Sequence, residues 1–125
     1  MYLIHPCTQL NSIFSSKPHQ GINPFLAKFL FIGLDANYDA DISTKPIFSK
    51  LLEYHNDSVA FWHLNGVHHP FLLPEYNGNG KTYHRNFSRI GFRSEHSTLL
   101  SFVELLHVPR KDNLNLFSFP VVYMT

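Results

Sequence analysis

Apolar and polar stretches alternate along the chain in a way that predicts buried strands. FLAKFLFIGL at positions 25–34 and LLSFVELLHVP at positions 99–109 are short, near-continuous apolar runs. Runs of this length that end at glycine or proline are typical of strands buried on both faces of a parallel sheet. The segment LFSFPVVYMT at positions 116–125 predicts a third strand.

Two other stretches have the pattern of helices. STKPIFSKLLEYH, positions 43–55, has Ser43 or Thr44 to cap a helix and Pro46 in its first turn. KTYHRNFSRIGF, positions 81–92, predicts a second helix that ends at Gly91. The segment between them, positions 64–80, is rich in Gly, His, Pro and Asn, and it predicts a long loop of a kind that often carries function.

The order strand, loop, helix, long loop, helix, strand predicts an α/β fold whose strands are linked by crossover helices. We expect one domain over residues 25–125, preceded by an N-terminal arm or a weak first helix over residues 1–24. Only two or three strands are recognisable in the pattern. A doubly wound domain usually has more, so the completeness of the sheet stays open.

Composition and charge narrow the class of protein. Apolar residues make up 44% of the chain and the net charge is +1, so neither general disorder nor a histone-like binder is expected. Lys81, Arg85 and Arg89 recur every four residues and predict a local basic face, although a merely solvated helix surface would look the same. The single cysteine fits a reducing compartment, although a disulfide-free secreted protein would look the same. No apolar run reaches ~20 residues, so we predict a soluble, cytoplasmic protein without a membrane partner.

Two carboxylates are predicted to reach the rim of the sheet. Asp35 follows the first strand two residues after Gly33, and Glu104 lies within the second apolar run. In open α/β sheets, ligands bind at the carboxyl ends of the strands, so both acids are candidates for ligand contact. Two alternatives stay open: Asp35 caps a turn, and Glu104 faces solvent from an amphipathic helix.

The residues around these carboxylates resemble motifs of the uracil-DNA glycosylase superfamily. Gly33-Leu34-Asp35-Ala36-Asn37-Tyr38 is similar to the family's first motif, in which an apolar strand ends in Gly-Gln-Asp-Pro-Tyr-His. The run LLSFVELLHVPRKDNLN from position 99 resembles the family's next conserved strand, a Leu-rich run that ends in Asn. The resemblance covers about residues 28–115.

The resemblance implies a three-layer α/β/α fold with a mostly parallel sheet. It also implies an enzyme, without cofactor or metal, that hydrolyses the N-glycosidic bond of a damaged or deaminated DNA base such as uracil. Asp35 would activate the attacking water, because a carboxylate near the sugar stabilises the positive charge that develops there. The base pocket would be formed by Gly33, Leu34, Asn37, Tyr38 and Glu104. DNA phosphates would contact Lys81, Arg85 and Arg89.

Two features depart from the family pattern. Glu104 stands where the family has the asparagine that reads uracil, and an ionised carboxylate only accepts hydrogen bonds. An ionised Glu104 suits a base edge that presents donors, such as an amino group. Otherwise Glu104 would need to be protonated. The family's last motif contains a histidine, and no histidine follows Pro109. Whether the C-terminal part is truncated or altered therefore stays open, and so do the activity, the target base and the strandedness of the DNA.

Two other classes of function compete with this interpretation. Nine histidines invite a metal-site hypothesis, in which the long loop brings together His69, Glu75 and His84. No HExxH or Cys/His spacing accompanies it. A non-catalytic relative of the glycosylase fold would instead bind nucleic acid or form a homo-oligomer through an incomplete sheet.

Overall fold

A computed structural model describes residues 4–33, 38–104 and 121–124. The helices and strands in these ranges are α1 Thr8–Ser16, β1 His19–Gly21, β2 Phe29–Gly33, α2 Phe48–Asn56, α3 Ser58–Asn65, α4 Lys81–Ser88, β3 Leu100–Glu104 and β4 Val121–Met124. Short 3-10 turns occupy Ile42–Thr44, Pro70–Leu72 and Ser94–Leu99. The helices and the sheet together agree with the predicted α/β class. No helix within the described ranges is long and apolar enough to cross a membrane.

The strands form one sheet in the order β1-β3-β2-β4. β2 and β3 are parallel neighbours, as the two apolar runs predict, with Phe31 opposite Phe102 and Gly33 opposite Glu104. β1 pairs with β3 and β4 pairs with β2, both antiparallel. The prediction of a mostly parallel sheet is therefore wrong for the described strands, because both outer strands run against their neighbours. Hydrophobic patterning identifies a strand but does not encode its direction.

One face of the sheet is covered by aromatic packing. Phe31 and Phe102 stack with their ring centroids 5.4 Å apart. Trp62 from α3 and Phe87 from α4 pack on this face and, with Leu100, complete the buried cluster. The alternation of side chains along a strand puts every second residue of β2 and β3 on this same face. The face is therefore made by Phe29, Phe31 and Gly33 of β2 and by Leu100, Phe102 and Glu104 of β3.

A second apolar cluster joins α1, α2 and the segments around them. Its buried members are Leu10, Phe14, Tyr38, Ile42, Ile47, Phe48, Leu51, Phe71 and Tyr76. Residues 1–24, predicted as an arm or a weak helix, contribute α1 to this cluster and β1 to the sheet. The first segment of the chain is thus packed against the rest of the protein through Leu10 and Phe14.

Gly21 ends β1 in a position that only glycine suits. Its φ is +86°, and an added Cβ would lie 2.5 Å from the carbonyl oxygen of Leu100, a backbone atom of β3. We expect Gly21→Ala to lower the free energy of unfolding by about 2–4 kcal/mol, from the left-handed backbone and the overlap together. Gly66 is the matched control, since its φ is +75° but an added Cβ would meet nothing within 4 Å. Denaturant unfolding that gives equal losses for Gly21→Ala and Gly66→Ala would contradict this account.

Candidate functional site

The candidate site lies where the aromatic face ends, at the carboxyl ends of β2 and β3. The stacked pair Phe31 and Phe102 is followed in the register by Gly33 and Glu104. Because glycine has no side chain, the carboxylate of Glu104 fills the space over it. A Cβ on Gly33 would overlap Oε2 of Glu104 and lie 3.4 Å from Oε1. Glu104 is half-buried on a strand, so the alternative of a solvent-facing helical Glu104 is wrong.

Three tyrosines lie within the electrostatic influence of this carboxylate. Burial raises the pKa of Tyr54 and of Tyr83, and the negative charge of Glu104 raises both further. Burial also raises the pKa of Tyr38, with smaller contributions from Tyr54 and then Glu104. The three rings come from α2, from α4 and from the segment after β2. All three phenol groups therefore stay protonated at neutral pH.

A buried chain of polar groups fixes Tyr38. Nε2 of Gln20 donates to Nδ1 of His55 at 2.8 Å, which leaves the ring N–H of His55 on Nε2. That nitrogen faces the Tyr38 hydroxyl at 3.3 Å. Burial, with a smaller contribution from the nearby charge of Lys17, lowers the pKa of His55 to about 3, so the ring is neutral. Gln20 of β1 and His55 of α2 therefore position the hydroxyl of Tyr38, which is predicted to line the base pocket.

Asp39, which the sequence analysis did not single out, ties the segment after β2 to the long loop. Its carboxylate accepts from Nζ of Lys45 at 2.7 Å and from the backbone N–H of Asn79 at 3.4 Å. Its backbone carbonyl accepts from Nε2 of His5 at 2.6 Å. Gly78 of the long loop packs against the Asp39 carboxylate and against Tyr76. A Cβ added to Gly78 would lie 2.6 Å from the Tyr76 hydroxyl. The only sequence signal for this role is the cluster of aspartates between positions 35 and 41.

The basic residues predicted for DNA contact lie on or beside α4. The helix predicted over residues 81–92 is confirmed for Lys81–Ser88. Four-residue spacing puts the three basic side chains on one face of it, with Arg85 and Arg89 exposed and Lys81 half-buried. Tyr83, whose pKa is raised by burial and by the charge of Glu104, lies on the same helix. The candidate site and the basic face therefore share one structural element.

Three of the described histidines, His68, His69 and His84, pack against one another. The rings of His69 and His84 stack with centroids 3.5 Å apart, and Nε2 of His68 lies 3.2 Å from Nδ1 of His84. Burial lowers the pKa of all three, and their mutual repulsion lowers those of His68 and His69 further. Within residues 4–33, 38–104 and 121–124, no group of three or more His, Cys, Asp or Glu side chains can hold a metal ion. The proposed grouping of His69, Glu75 and His84 is therefore not formed.

Three residues predicted for the site, namely Leu34, Asp35 and Asn37, lie outside the described residues. Phe71, Tyr76 and Phe92 are aromatic residues that the sequence offers for stacking on a flipped base. Phe71 and Tyr76 stack on each other in the core, with ring centroids 4.0 Å apart. The stacking candidate Phe92 is half-buried against Phe29, with ring centroids 5.3 Å apart. Core packing accounts for all three of these aromatic rings.

A separate cleft lies between α3 and the sheet. It is lined on one side by Tyr54 and Trp62 and on the other by Leu100 and Phe102, and its volume is about 10 Å³. That volume is about what one water molecule requires. The cleft is too small for a base or a metabolite.

Comparisons with protein-family models, with curated proteins and with solved structures give no match to this chain.

Proposed function

We propose that the protein is a DNA glycosylase that hydrolyses the N-glycosidic bond of a damaged or deaminated base. The observation that supports this most is the parallel pairing of β2 with β3, in which Gly33 lies opposite Glu104. Parallel neighbours bring their carboxyl ends to one edge, the usual position of ligand sites in α/β folds. Asp35 follows Gly33 by two residues in the sequence, and we assign both acids to one site.

The chemistry of the reaction assigns a role to each group. Breaking the bond builds positive charge on the sugar, and Asp35 stabilises that charge while accepting a proton from the attacking water. A flipped base requires a pocket with aromatic walls and a hydrogen-bonding group at its edge. In this proposal Glu104 meets the base edge, and Gly33, Leu34, Asn37 and Tyr38 line the pocket.

The proposal includes the three-layer α/β/α arrangement that the resemblance implies. α3 and α4 form one helical layer through Trp62 and Phe87. The second layer would cover the opposite face of the sheet, where the apolar side chains of Leu30, Ile32 and Val103 are half-buried. An apolar face of this kind is normally covered in α/β folds.

Removal of basic side chains from α4 should weaken DNA binding in a salt-dependent way. Arg85 and Arg89 are exposed, and each would release about one counterion on contacting a phosphate. We expect Arg85→Gln and Arg89→Gln each to reduce the slope of log K against log salt by about 1. Fluorescence anisotropy with a labelled oligonucleotide measures that slope. Lys50→Gln is the control, because Lys50 lies on α2 and pairs with Glu53 at 3.2 Å. Slopes that equal the wild-type value in both arginine variants would contradict the assigned interface.

The test of the proposed function is cleavage by the wild-type protein of oligonucleotides that carry one altered base each. The panel contains uracil, hypoxanthine, xanthine and N7-methylguanine, in single-stranded and duplex form, beside undamaged controls. Alkali converts the abasic product into a strand break that a gel resolves. Breaks at an altered base alone would support the proposal. A folded protein that binds these oligonucleotides and leaves all of them intact would overturn it in favour of a non-catalytic nucleic-acid-binding protein.

A further inference from the structure

The turn between β1 and β2 presents two apolar side chains to solvent. Phe25 is 97% exposed and Leu26 is 75% exposed. Asn23 fixes the turn, because its side-chain oxygen accepts from the backbone N–H of Phe25 at 2.9 Å and its carbonyl accepts from that of Leu26 at 2.9 Å. The next residue, Ala27, is buried. Single exposed apolar residues are common on proteins, so the surroundings of Phe25 decide what it could contact.

Exposed cations lie at the same edge of the sheet as this turn. The rings of Phe29, which begins β2, and Phe92 have centroids 5.3 Å apart. That contact brings Lys28 and Arg93, the residue beside each ring, to this edge, and both are exposed. Arg93 pairs with Glu95, whereas Lys28 makes no ion pair within the described part of the chain. The edge therefore offers an aromatic ring and positive charge together.

α4 connects this edge to the candidate site. Tyr83, in its first turn, is affected by the charge of Glu104 at the carboxyl end of β3. Phe92, beyond the other end of the helix, contacts the first residue of β2. The exposed side chains of Arg85 and Arg89 lie between these two points in the chain. Cations thus form a row from the candidate site to the turn, over about 13 Å, which is the length of a five-residue strand.

This combination fits single-stranded nucleic acid better than it fits other partners. Proteins that bind single strands combine cations that follow the phosphates with exposed aromatic rings on which bases stack. A duplex keeps its bases inside the helix, so an exposed ring can stack only on an unpaired base. The cleft between α3 and the sheet, at about 10 Å³, is too small to receive Phe25 of a second copy. A lipid surface would accept Phe25 and Leu26 but would not require a row of cations leading to the candidate site.

We propose that Phe25 is a stacking platform for an unpaired base of single-stranded DNA, whose phosphates follow Lys28, Arg89 and Arg85 towards the candidate site; this rests on the DNA binding of the proposed function. At 3.4 Å per stacked nucleotide, about four nucleotides separate the two ends of this row. Every base has a flat π-face, so the contact tolerates any sequence. Phe25 takes no part in the reaction and acts by holding the strand.

The experiment compares two oligonucleotides of about 12 nucleotides, a length that single-strand-binding folds cover. One is oligodeoxythymidine and the other has an abasic sugar at every position, so both carry the same phosphates and only the first carries bases. Phe25→Leu keeps an apolar side chain but removes the ring. We expect it to weaken binding of oligodeoxythymidine about 5- to 100-fold and to leave binding of the abasic strand unchanged. Lys28→Gln removes a charge and should weaken both. Leu64→Ala, which changes a 79% exposed residue of α3, is the control and should match wild type on both.

A fluorescent reporter locates the contact directly. The native Trp62 is 7% exposed, so a tryptophan placed by Phe25→Trp reports the turn, with Leu64→Trp as the matched control. Quenching by oligodeoxythymidine in Phe25→Trp alone supports the inference even if the protein releases no base. Three results overturn it even if base release occurs: no binding of oligodeoxythymidine by wild type, equal binding by Phe25→Leu and wild type, or equal losses on both strands in Phe25→Leu. Wild type that sediments with vesicles of phosphatidylserine and phosphatidylcholine but does not bind the oligonucleotide would overturn it in favour of a lipid-binding turn.

Discussion

Asp35→Asn should lower the rate of base release by about 100-fold or more while leaving DNA affinity nearly unchanged. Asparagine keeps the size of the side chain but neither accepts the proton from water nor carries the charge that stabilises the sugar. Losing a positioned general base alone typically costs about 10²- to 10⁴-fold. Single-turnover cleavage gives the rate, and anisotropy gives the affinity.

The control for this prediction is Asp41→Asn. Asp41 belongs to the same acidic segment, is exposed and lies 3.8 Å from Lys45 in an ion pair. We expect this variant to cleave at the wild-type rate. Equal rates for Asp35→Asn and wild type would remove Asp35 from the mechanism. Equal losses in both aspartate variants would point to a general effect of charge on the segment.

Acidification from pH 7 to pH 5 should lower the free energy of unfolding by more than about 2 kcal/mol. His55 is 4% exposed, and burial lowers its pKa to about 3, against 6.5 in an unfolded chain. Below pH 6.5 the unfolded chain binds a proton that the native protein does not bind. The stability from neutral His55 is therefore complete above pH 6.5 and is lost progressively towards pH 3. At pH 5 this loss is about 2 kcal/mol, and burial of His68, His69 and His84 acts in the same direction.

Urea unfolding at a series of pH values measures this effect, and His55→Gln identifies its source. Glutamine does not titrate, so the loss between pH 7 and pH 5 should be about 2 kcal/mol smaller in the variant. His63→Gln, which changes an exposed histidine, should follow the wild-type curve. A wild-type protein as stable at pH 5 as at pH 7 would contradict the burial of neutral histidines.

The central strands were predictable because their signal is local. β2 and β3 coincide with apolar runs, and their parallel pairing follows from the helices between them. β1 has no such signal. Its three residues are His-Gln-Gly, and it depends on distant contacts, namely Gln20 with His55 and Gly21 with Leu100.

α3 was missed although its boundary residues carry a readable signal. Asp57 accepts from the backbone N–H of Ala60 at 3.0 Å, and Gly66 follows the helix with φ +75°. The helix has eight residues, and its polar residues do not gather on one side, so it lacks the polar face that marks a surface helix. The sequence signal of α3 therefore lies in its capping residues, Asp57 and Gly66, and not in the periodicity of its side chains.

One part of the candidate site was predictable because its sequence signal is local, as it is for the central strands. Glu104 was identified because a carboxylate in an apolar run requires an explanation, and its position beside Gly33 follows from strand register. Asp39 was not identified, because nothing in the local sequence distinguishes it from Asp41. Only the fold brings Lys45 and Tyr76 to its carboxylate. Burial of the histidines depends on tertiary packing in the same way.

The most direct test of the central claim is detection of free base released from a DNA oligonucleotide. Wild type and Asp35→Asn are incubated with the panel of altered bases, and the released base is identified by mass spectrometry. We expect free base from the wild-type reaction and about 100-fold less from Asp35→Asn. If folded wild-type protein releases no base from any member of the panel, or if Asp35→Asn releases as much as wild type, the account is contradicted.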